Sequence, residues 1–560
     1  MARRKSNSQA ELVLLPLGGM GEIGMNMYCY GFGPPDDRRW IMVDCGVKFG
    51  GDAEPGIDVV LPDVSFMESE RSSLLGIILT HAHEDHHGGL PWLWSRLRKP
   101  IFCSPFAAEL VKHKFHEAGL IKEANIQVRP AGSRFSLGPF DIEMIAVTHS
   151  IPEPNAILIR TELGHVLHSG DWKIDNHPNI PPRMDEAALR AVGDEGLRAL
   201  VCDSTNVLRE GASPSESEIA RNLKRLIQEA PGRVAVTTFA SHVGRITSIT
   251  EAARATGREV VIAGRAMRTV IEAARNVGLL QKAGQFLNED AFGYLPPERT
   301  LLLCTGSQGE PRAAIARIAE GTHPSIELDP GDWVIFSSRT IPGNEHAVAA
   351  IHNNLARKNI RIITSDDELV HTSGHPRQEE LKTFYSWVKP QLLVPMHGEE
   401  RHLHFHADFA QAQGIPESAI CENGQMLRLA PGPAEIVDEA PAGRLHVDGK
   451  LIVPSVEGPA RFRRRLSFAG VVFVTVVLDD KGNVIAGPRL AADGLPPETD
   501  DGEDFLAYLL EAADDALEAL PRGRRKDDDP VSEAIRVGVR RAADLVWGKK
   551  PICHVIVHRA

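Results

Sequence analysis

The sequence predicts an α/β fold in which a layered α/β domain carries a second, parallel α/β domain as an insert and is followed by a small α+β domain. Three observations support this prediction. Loops rich in histidine and aspartate follow apolar strands on both sides of residues 206–365. Strands and helices alternate within that range, as in an open parallel sheet. Finally, a chain of 560 residues is longer than a single hydrophobic core usually organises.

The composition is that of an ordinary globular protein, with 42% hydrophobic and 24% charged residues. A net charge of -13 excludes a surface coated in positive potential but leaves a local basic groove open. Seven cysteines without a C-x-x-C pair favour reduced thiols over a disulfide framework or a zinc ribbon. The apolar run Leu466–Leu478 is too short to span a bilayer. We therefore expect a cytoplasmic protein with no membrane segment, beginning with a disordered leader at residues 1–11.

Two motifs near the N-terminus have competing interpretations. Gly19–Gly24 matches the dinucleotide-binding fingerprint, but Met25–Tyr30 alternates like a strand where that fold requires a helix, so we predict a turn between strands. The loop at residues 51–63 contains four carboxylates among proline and glycine, at Asp52, Glu54, Asp58 and Asp63. It is either a solvated acidic loop or a structural Ca²⁺ site.

The stretch Thr80–Gly89 follows the apolar run Leu74–Leu79 and indicates a two-metal site. It offers four nitrogen and oxygen ligands within six residues, at His81, His83, Asp85 and His86. Two imidazoles at alternating positions, followed by an adjacent carboxylate and imidazole, can divide into two facing groups that each hold one ion. A solvated polar loop is the alternative.

This loop resembles the His-x-His-x-Asp-His signature of the metallo-β-lactamase superfamily, whose fold is an αββα sandwich. The further ligand positions of that pattern are present at strand ends, as His149, Asp171 and His397. The resemblance implies that Asp171 bridges two ions, one held by His81, His83 and His149 and the other by Asp85, His86 and His397. It also implies that Asp44 supports the site without binding metal. Nitrogen-rich ligation favours two Zn²⁺, with Mn²⁺ as an alternative. The sandwich would comprise residues 12–205 and 366–445.

In the predicted insert, residues 206–365, several strands are followed by loops that contain small hydroxyl residues, glycine and arginine. These loops are Ala240–Arg245, Thr305–Glu310 and Ser337–Thr340. By the strand-end rule, ligands bind outside the carboxyl ends of parallel strands, where such residues can donate to phosphate oxygens. Ordinary helix capping would explain any one of these loops alone.

The return of a metal ligand after an α/β insert resembles the β-CASP branch of the superfamily, which cleaves nucleic acids. More narrowly, the sequence resembles the bacterial ribonuclease J family in the metal loop and in Asp203–Thr205, Ser241–Val243, Gly306–Glu310, His371–His375 and Met396–Glu399. The resemblance implies that Asp203 and His375 are catalytic. It implies substrate contacts by Ser241, His242, Val243, His371, Thr372, Ser373, Gly374 and His375. Here Ser241-His242-Val243 stands in place of a Ser-Asn-x form.

The function implied is hydrolysis of RNA in rRNA processing and mRNA decay. We expect 5′-to-3′ exonuclease activity that prefers 5′-monophosphate ends, together with endonuclease activity. The alternatives are a noncatalytic RNA-binding or scaffold subunit of an RNA-processing complex and a β-CASP nuclease that acts on DNA. A small-molecule hydrolase is disfavoured because such enzymes lack the insert.

Beyond a predicted linker at residues 446–460, residues 461–560 predict a small α+β domain. Its basic cluster, Arg461–Arg465, is either an RNA contact or a solvated strand edge. In the family this module supports self-association, so we expect a homo-oligomer, either dimer or tetramer, and RNA-decay complex partners. Further histidines are interpreted as satisfied or exposed rather than as ligands; they are His87, His165, His168, His402, His404 and His406.

Overall fold

The computed structural model describes residues 9–341, 343–456 and 458–560. The chain divides into two compact units. The first comprises the described residues up to Lys48 together with Leu61–Gly443, and the second comprises Phe49–Val60 and Arg444–Ala560. Most of the leader predicted at residues 1–11 lies outside the described residues; within them, Glu11 begins a strand.

The chain before the insert contains most elements of the lactamase-like layers. Its strands are β1 Glu11–Gly18, β2 Met20–Gly21, β3 Met27–Gly33, β4 Arg39–Val43, β5 Lys48–Phe49, β6 Val59–Pro62, β7 Leu74–Ile78, β8 Ile101–Cys103, β9 Ile126–Val128, β10 Arg134–Leu137, β11 Phe140–Ala146, β12 Asn155–Thr161, β13 Gly164–His168 and β14 Ala199–Asp203. Its helices are α1 Ser65–Ser69, α2 Glu84–His87, α3 Leu90–Leu97, α4 Pro105–Glu117 and α5 Glu186–Glu195. Strand β3 follows Gly19–Gly24, so the turn between strands is confirmed and the dinucleotide fingerprint is a coincidence.

The insert of unit one alternates between strands and helices, as predicted. Its strands are β15 Val234–Thr237, β16 Glu259–Ala263, β17 Thr300–Cys304, β18 Trp333–Phe336 and β19 Arg361–Ile363, and its helices are α6 Glu216–Glu229, α7 Val243–Ala255, α8 Arg265–Asn276, α9 Ala314–Glu320 and α10 Glu345–Arg357. Short 3₁₀ turns span Glu289–Tyr294 and Pro297–Arg299. The sheet order is β16-β17-β15-β18-β19 and every pairing is parallel, so all the carboxyl ends of its strands meet at one edge. A capping box formed by Ser215 and Glu218 begins α6.

After the insert, the chain returns to the lactamase-like layers. The returning elements are α11 Gln378–Val388, β20 Leu392–Met396, β21 Gly398–Glu399, α12 Glu400–Ala412, β22 Glu417–Ser418, β23 Gln425–Ala430 and β24 Glu435–Glu439. One sheet has the order β24-β23-β1-β3-β4-β7-β8-β9 and the other β10-β11-β12-β13-β14-β20-β22. Strand β20 pairs in parallel with β14, which places Met396 beside Asp203.

The two sheets bury a shared apolar core, because their strands turn apolar side chains toward each other. Tyr28 and Ile41 of one sheet lie in the same buried cluster as Ile142, Ile157 and Val394 of the other. Helices α5, α11 and α12 cover the outer face of the second sheet through a separate cluster. The predicted αββα sandwich with a parallel α/β insert is therefore confirmed. On this framework the predicted metal ligands follow β7, β11, β13 and β20, while Asp203 ends β14 and His375 lies in the loop before α11.

The second unit contains β25 Arg444–Asp448, β26 Leu451–Pro454, α13 Ala460–Ala469, β27 Val471–Leu478, β28 Val484–Asp493, α14 Phe505–Glu518, α15 Asp528–Trp547 and β29 Ile552–Arg559, with a 3₁₀ turn at Arg522–Lys526. Helices α14 and α15 pack on one face of the sheet β28-β27-β29. The range 446–460, predicted as a linker, forms the β25–β26 hairpin within its described part. The basic cluster Arg461–Arg465 lies on helix α13, so its interpretation as a strand edge is wrong. In the described part of the chain, every helix is too short or too polar to cross a bilayer.

Candidate metal centre

The metal loop begins where β7 ends and closes into the short helix α2. Asp44, which follows β4, fixes the start of the loop: the Thr80 amide donates to Asp44 Oδ1 at 2.8 Å, and Thr80 Oγ1 donates to Oδ2 at 2.8 Å. The loop passes so close to Gly46 that a Cβ there would lie 1.7 Å from the carbonyl oxygen of Asp85. Glycine at this position therefore lets the loop backbone approach β4.

Three imidazole nitrogens converge in the first ligand group. His81 Nε2 lies 3.0 Å from His83 Nδ1, and His149 Nε2 lies 3.1 Å from the same atom. Asp171 Oδ2 is 3.8 Å from His81 Nε2 and 3.7 Å from His149 Nε2. Tetrahedral zinc with bonds of about 2.0–2.1 Å keeps its ligand atoms about 3.4 Å apart. The spacing of these four donors is therefore close to that of a tetrahedral site.

The second ligand group lies on the other side of Asp171. His86 Nε2 is 3.2 Å from Asp171 Oδ2 and 3.5 Å from Asp85 Oδ2. His397 Nε2 is 3.3 Å from Asp85 Oδ2, and His397 Nδ1 is 3.1 Å from Asp171 Oδ1. The structure thus brings the seven predicted ligands into two groups that share Asp171.

The donor atoms of these groups fit a divalent cation better than they fit one another. Facing imidazole nitrogens 3.0–3.1 Å apart need a proton or a metal between them. Asp171 Oδ1 and His397 Nε2 are buried and make no hydrogen bond with any described residue. Burying such groups without partners is costly, and metal coordination would satisfy them. The groups contain only histidine and aspartate.

The surroundings set the protonation of the first group. Burial lowers the pKa of His83 to about 4. Burial is also the largest influence on His81 and His149, and it holds the pKa of each well below its usual value. Burial alone would raise the pKa of Asp171, but nearby histidines bring it well below its ordinary range. Neutral imidazoles and an ionised carboxylate are the forms that bind a metal ion.

Hydrogen bonds behind the ligands orient their rings. His86 Nδ1 donates to Asp44 Oδ2 at 2.7 Å, and His149 Nδ1 donates to the Gly374 carbonyl at 2.6 Å. In both rings the Nε2 atom is left to face the site. Such partners fix the tautomer and raise the basicity of a ligand, and their loss typically weakens metal binding. Asp44 therefore supports the site from outside the two groups, as the resemblance implied.

The predicted catalytic residues lie beside the second group. His375 Nδ1 donates to Asp203 Oδ2 at 2.7 Å, and His375 Nδ1 lies 3.9 Å from Asp171 Oδ2. The Asp203 side chain is fully buried, whereas that of His375 is 19% exposed. Burial lowers the pKa of His375, but the carboxylates of Asp203 and Asp171 outweigh it and raise the pKa above its usual value. A cationic imidazole reached by solvent can donate a proton to a substrate.

Asn206, which the sequence did not single out as a site residue, fixes the loop that carries His375. Its amide donates to Ser373 Oγ at 2.8 Å and to the His375 carbonyl at 3.2 Å. These partners lie 167 and 169 residues away along the chain. Only the Asp-Ser-Thr-Asn sequence after β14 marks the position, and it carries no information about the distant partner.

The predicted substrate-binding residues fall into two sets. In the first set the side chain is engaged within the protein. His242 caps α7 by accepting from the Arg245 amide at 3.2 Å, and its Nε2 lies 3.2 Å from Glu216 Oε1. Val243 is buried, and Thr372 Oγ1 donates to the Pro214 carbonyl at 3.0 Å.

The second set combines half-buried side chains with a glycine, and within it Ser373 Oγ accepts the hydrogen bond from Asn206 described above. Ser241, His371 and Ser373 are half-buried. A Cβ at Gly374 would lie 2.5 Å from the His149 ring, so only glycine lets this backbone reach the metal ligand. The second set thus holds two serines at half-buried positions and a backbone close to His149, and substrate contacts by these residues stay a prediction.

A buried ion cluster below these loops was missed by sequence reasoning. Arg245 donates to Glu216 through Nε at 3.1 Å and Nη2 at 3.0 Å, and through Nη1 to the Val370 carbonyl at 3.0 Å. Lys173 Nζ lies 3.6 Å from Glu216 Oε1. A small cavity of about 20 Å³, lined in part by Lys173, Glu216 and His149, adjoins this cluster. Together these contacts hold the chain immediately before His371 against the insert.

Several other histidines stay outside the ligand groups. His87 Nδ1 donates to the His83 carbonyl at 2.8 Å, and His406 Nδ1 lies 2.8 Å from Ser204 Oγ. The groups of converging ligand atoms found among the described residues contain none of the acidic residues of the loop at 51–63. Glu54 instead accepts from the Gly51 amide at 3.0 Å. The predicted Ca²⁺ site therefore has no converging group of ligand atoms among the described residues.

Family models match four parts of the chain. A model described as Ribonuclease J, beta-CASP domain matches residues 231–355, and one described as Ribonuclease J C-terminal domain matches residues 461–560. A Beta-lactamase superfamily domain matches residues 39–193, and a Zn-dependent metallo-hydrolase RNA specificity domain matches residues 360–418.

Curated relatives match almost the whole chain. Ribonuclease J of Sinorhizobium meliloti is 51% identical over 98% of this chain and 97% of its own length. Ribonuclease J of Mycolicibacterium smegmatis is 38% identical over 96% of this chain and 95% of its own. A solved structure of a protein of unknown function from Enterococcus faecalis V583 shares the fold, with a TM-score of 0.51 at 17% identity, over 75% of this chain and all of its own.

The fold and the two ligand groups define a metallo-hydrolase of the metallo-β-lactamase superfamily with a β-CASP insert. Within that class, the chain belongs to the ribonuclease J family. The resemblance predicted from the motifs is thereby confirmed. The roles of individual site residues remain predictions.

Proposed function

We propose that this metal-dependent ribonuclease binds two zinc ions with seven protein ligands. One ion would be held by His81, His83 and His149, the other by Asp85, His86 and His397, and Asp171 would contact both. The observation that carries this proposal is the convergence of these donors into two groups with one carboxylate in common. Nitrogen-rich ligation favours zinc over magnesium, and manganese is the alternative.

Metal analysis of the purified protein tests this assignment. The wild type should contain two zinc ions per chain, and His83→Ala should contain one or none. His404→Ala is a matched control, because His404 is an exposed histidine outside both groups. An unchanged metal content in His83→Ala would overturn the ligand assignment.

The pair Asp203 and His375 would act as the general acid/base of the reaction. Bound metal ions would supply charge that stabilises the scissile phosphate during hydrolysis and would activate the attacking water. Cleavage also requires a proton for the departing 3′-oxygen, and a histidine paired with a carboxylate is suited to donate it at neutral pH. The 2.7 Å contact between Asp203 and His375 orients the ring and favours its protonated form.

The enzyme would degrade RNA from the 5′ end, prefer a 5′-monophosphate and also cut internally. Ser241 and Ser373 offer hydroxyl groups that remain half-buried, and Gly374 brings backbone close to His149. Donors here could bind a terminal phosphate and set its distance from the metal ligands, which would turn hydrolysis into stepwise release of mononucleotides. A triphosphate would exceed these few donors in charge and bulk.

Degradation of labelled RNA tests the direction of cleavage. RNAs with 5′-monophosphate, 5′-triphosphate and 5′-hydroxyl ends should decay at different rates, with the monophosphate fastest and mononucleotides among the products. The same sequence as single-stranded DNA tests the alternative substrate, because phosphate contacts alone do not read the sugar. If RNAs with all three kinds of 5′ end decay at equal rates and no mononucleotides form, the enzyme is an endonuclease and the proposed exonuclease activity is wrong.

In the cell, we infer roles in rRNA processing and mRNA decay in the cytoplasm, in company with other RNA-decay proteins. A noncatalytic scaffold subunit is the competing function, and the grouping of all seven ligands argues against it.

Self-association would use the C-terminal domain. There, Phe473 on β27 and Ile556 on β29 lie on one face of the sheet and are 41% and 47% exposed. Light scattering of wild type and Phe473→Asp should show a dimer or tetramer that the substitution weakens.

A further inference from the structure

Three arginines close to the catalytic pair have no partner of opposite charge. They are Arg209, Arg339 and Arg377. None of their guanidinium groups forms an ion pair or hydrogen bond with any residue in the described ranges. Arg377 Nε is buried without a hydrogen-bond partner. By contrast, Arg245, in the same region, is surrounded by Glu216, Ser337 and Val370.

Two of these arginines lie on loops that carry the predicted catalytic residues. The Gln378 amide donates to the Arg209 carbonyl at 3.1 Å, which joins the loop after Asp203 to the loop after His375. The Glu379 amide likewise donates to the Gly211 carbonyl at 3.2 Å, between the same two loops. Arg209 and Arg377 therefore flank the point at which Asn206 holds the catalytic loop.

Arg339 belongs to the insert, and its charge is one of those that act on Arg209. It follows β18 at the carboxyl edge of the parallel sheet, where its carbonyl accepts from Gln308 Nε2 at 2.8 Å. The side chain of Arg339 is exposed. The cluster thus draws one residue from the insert and two from the loops beside the catalytic pair.

The positive charges of the cluster oppose one another. Partial burial, and then the charges of Arg339 and Arg377, lower the pKa of Arg209. A chain with a net charge of -13 has many carboxylates that could neutralise such a cluster, yet none pairs with these three residues in the described part of the molecule. The repulsion destabilises the free protein and would be relieved by an anion.

The chemistry of arginine narrows the choice of anion. A guanidinium presents a planar fork of donors that matches phosphate oxygens in bidentate fashion. A lone exposed arginine is usually only solvated, and Arg39, at the start of β4, is of that kind. Three neighbouring arginines, one of them with a buried unpaired nitrogen, are instead suited to a multiply charged group.

We propose that Arg209, Arg339 and Arg377 bind a phosphate of the RNA backbone next to the nucleotide held at Asp203 and His375. The proposal rests on the ribonuclease function given above. The cluster contributes to binding and not to the chemical step, because its members include neither a metal ligand nor the proposed proton donor.

Steady-state kinetics on a short single-stranded RNA tests the cluster. Each of Arg209→Gln, Arg339→Gln and Arg377→Gln should raise KM by about tenfold, the effect of losing one charge-assisted contact, with kcat within about twofold of wild type. Arg39→Gln is the matched control and should leave both parameters unchanged, since Arg39 lies at the opposite end of β4 from Asp44.

Salt dependence and a conservative substitution separate phosphate binding from a structural effect. The slope of log affinity against log salt should fall by about 0.7 for each contact removed. Arg209→Lys keeps the charge and should restore part of the lost affinity, which a packing defect would not allow. Metal content and the unfolding temperature of each variant should match those of wild type.

The outcomes distinguish this proposal from the function on which it rests. If wild type degrades RNA and the triple variant matches it in KM and salt slope, the cluster proposal is overturned while the ribonuclease function stands. If wild type degrades no RNA, the function fails, and fluorescence anisotropy of the same RNA with wild type and triple variant still decides whether the cluster binds phosphate. A change of oligomeric state with unaltered RNA affinity would also overturn it.

Discussion

The metal loop, residues 80–89, and the loop at residues 371–375 both serve the site, but their contacts reach very different distances along the chain. The metal loop carries four predicted ligands within six residues. In the other loop, His375 pairs with Asp203 at a separation of 172 residues, and Gly374 meets His149 at a separation of 225. The ligand types of the first loop can therefore be read from spacing, whereas the roles of the second depend on tertiary structure.

The largest effect should come from the residue that the two ligand groups share. Asp171→Ala removes a donor from both groups, so we expect loss of bound metal and a fall in RNA hydrolysis of at least about a thousandfold. Metal analysis and initial rates on labelled RNA measure the two quantities. Treatment of wild type with a chelator should reproduce the loss, and added zinc should restore activity. Full activity in chelator-treated, metal-free protein would contradict the metal-dependent mechanism.

A large effect confined to the chemical step is expected at His375, in the loop at residues 371–375. His375→Ala should lower kcat by about a hundredfold to ten-thousandfold, the usual contribution of a general acid, while metal content stays the same. Single-turnover rates with metal analysis on the same samples test this. His404→Ala, a substitution of an exposed histidine, should have no effect. Near-normal turnover in folded His375→Ala would remove the acid/base role.

An intermediate effect, on metal affinity, is expected at Asp44, which supports the metal loop. Asp44→Asn replaces the carboxylate that accepts from His86 Nδ1 and from both Thr80 donors. Losing such a partner typically costs about tenfold to a hundredfold in metal affinity. Competition titrations with a metal-binding dye would measure the change. Unaltered affinity would show that Thr80 and the loop backbone suffice to orient His86.

The smallest effect is expected at Ser373. Ser373→Ala removes the hydroxyl that accepts from Asn206 and from the His375 amide. A net loss of about 1 kcal/mol per hydrogen bond corresponds to about a fivefold change. We expect the rate advantage of 5′-monophosphate over 5′-hydroxyl RNA to fall by that factor, with internal cleavage less affected. Equal losses in both activities would assign Ser373 to positioning of His375 alone.

Local pattern allowed much of the fold and the ligand positions to be predicted. Strand ends followed by histidine or aspartate marked the loops that later converge, and the alternation of strands and helices marked the insert. The partners of Asn206 and the Glu216–Arg245 ion pair could not be predicted, because each joins segments whose proximity is set by packing. His242 shows the opposite problem. Its motif predicts a substrate contact, but its side chain caps helix α7.

The second unit shows where composition misleads. Proline and glycine between residues 446 and 460 predicted a linker, yet β25 and β26 pair there as a hairpin. The arginines at 461–465 were interpreted as an RNA contact or a strand edge, yet they lie on helix α13, whose buried residues are Ala460 and Ala469. In both cases the composition of the segment did not predict the element that forms there.

The parallel pairing of β14 with β20 affects how the insert can change in length during evolution. The insert follows β14, which ends at Asp203, and β20, the first strand after the insert, ends at Met396 directly beside Asp203. The sandwich strands that flank the insert in the sequence are therefore neighbours, held together by their own hydrogen bonds. The entropic cost of closing a long excursion grows only slowly with its length, so residues can be added to or lost from the far side of the insert at little cost. The substrate-facing part of such an enzyme can be rebuilt over evolutionary time while the atoms that surround Asp171 keep their places.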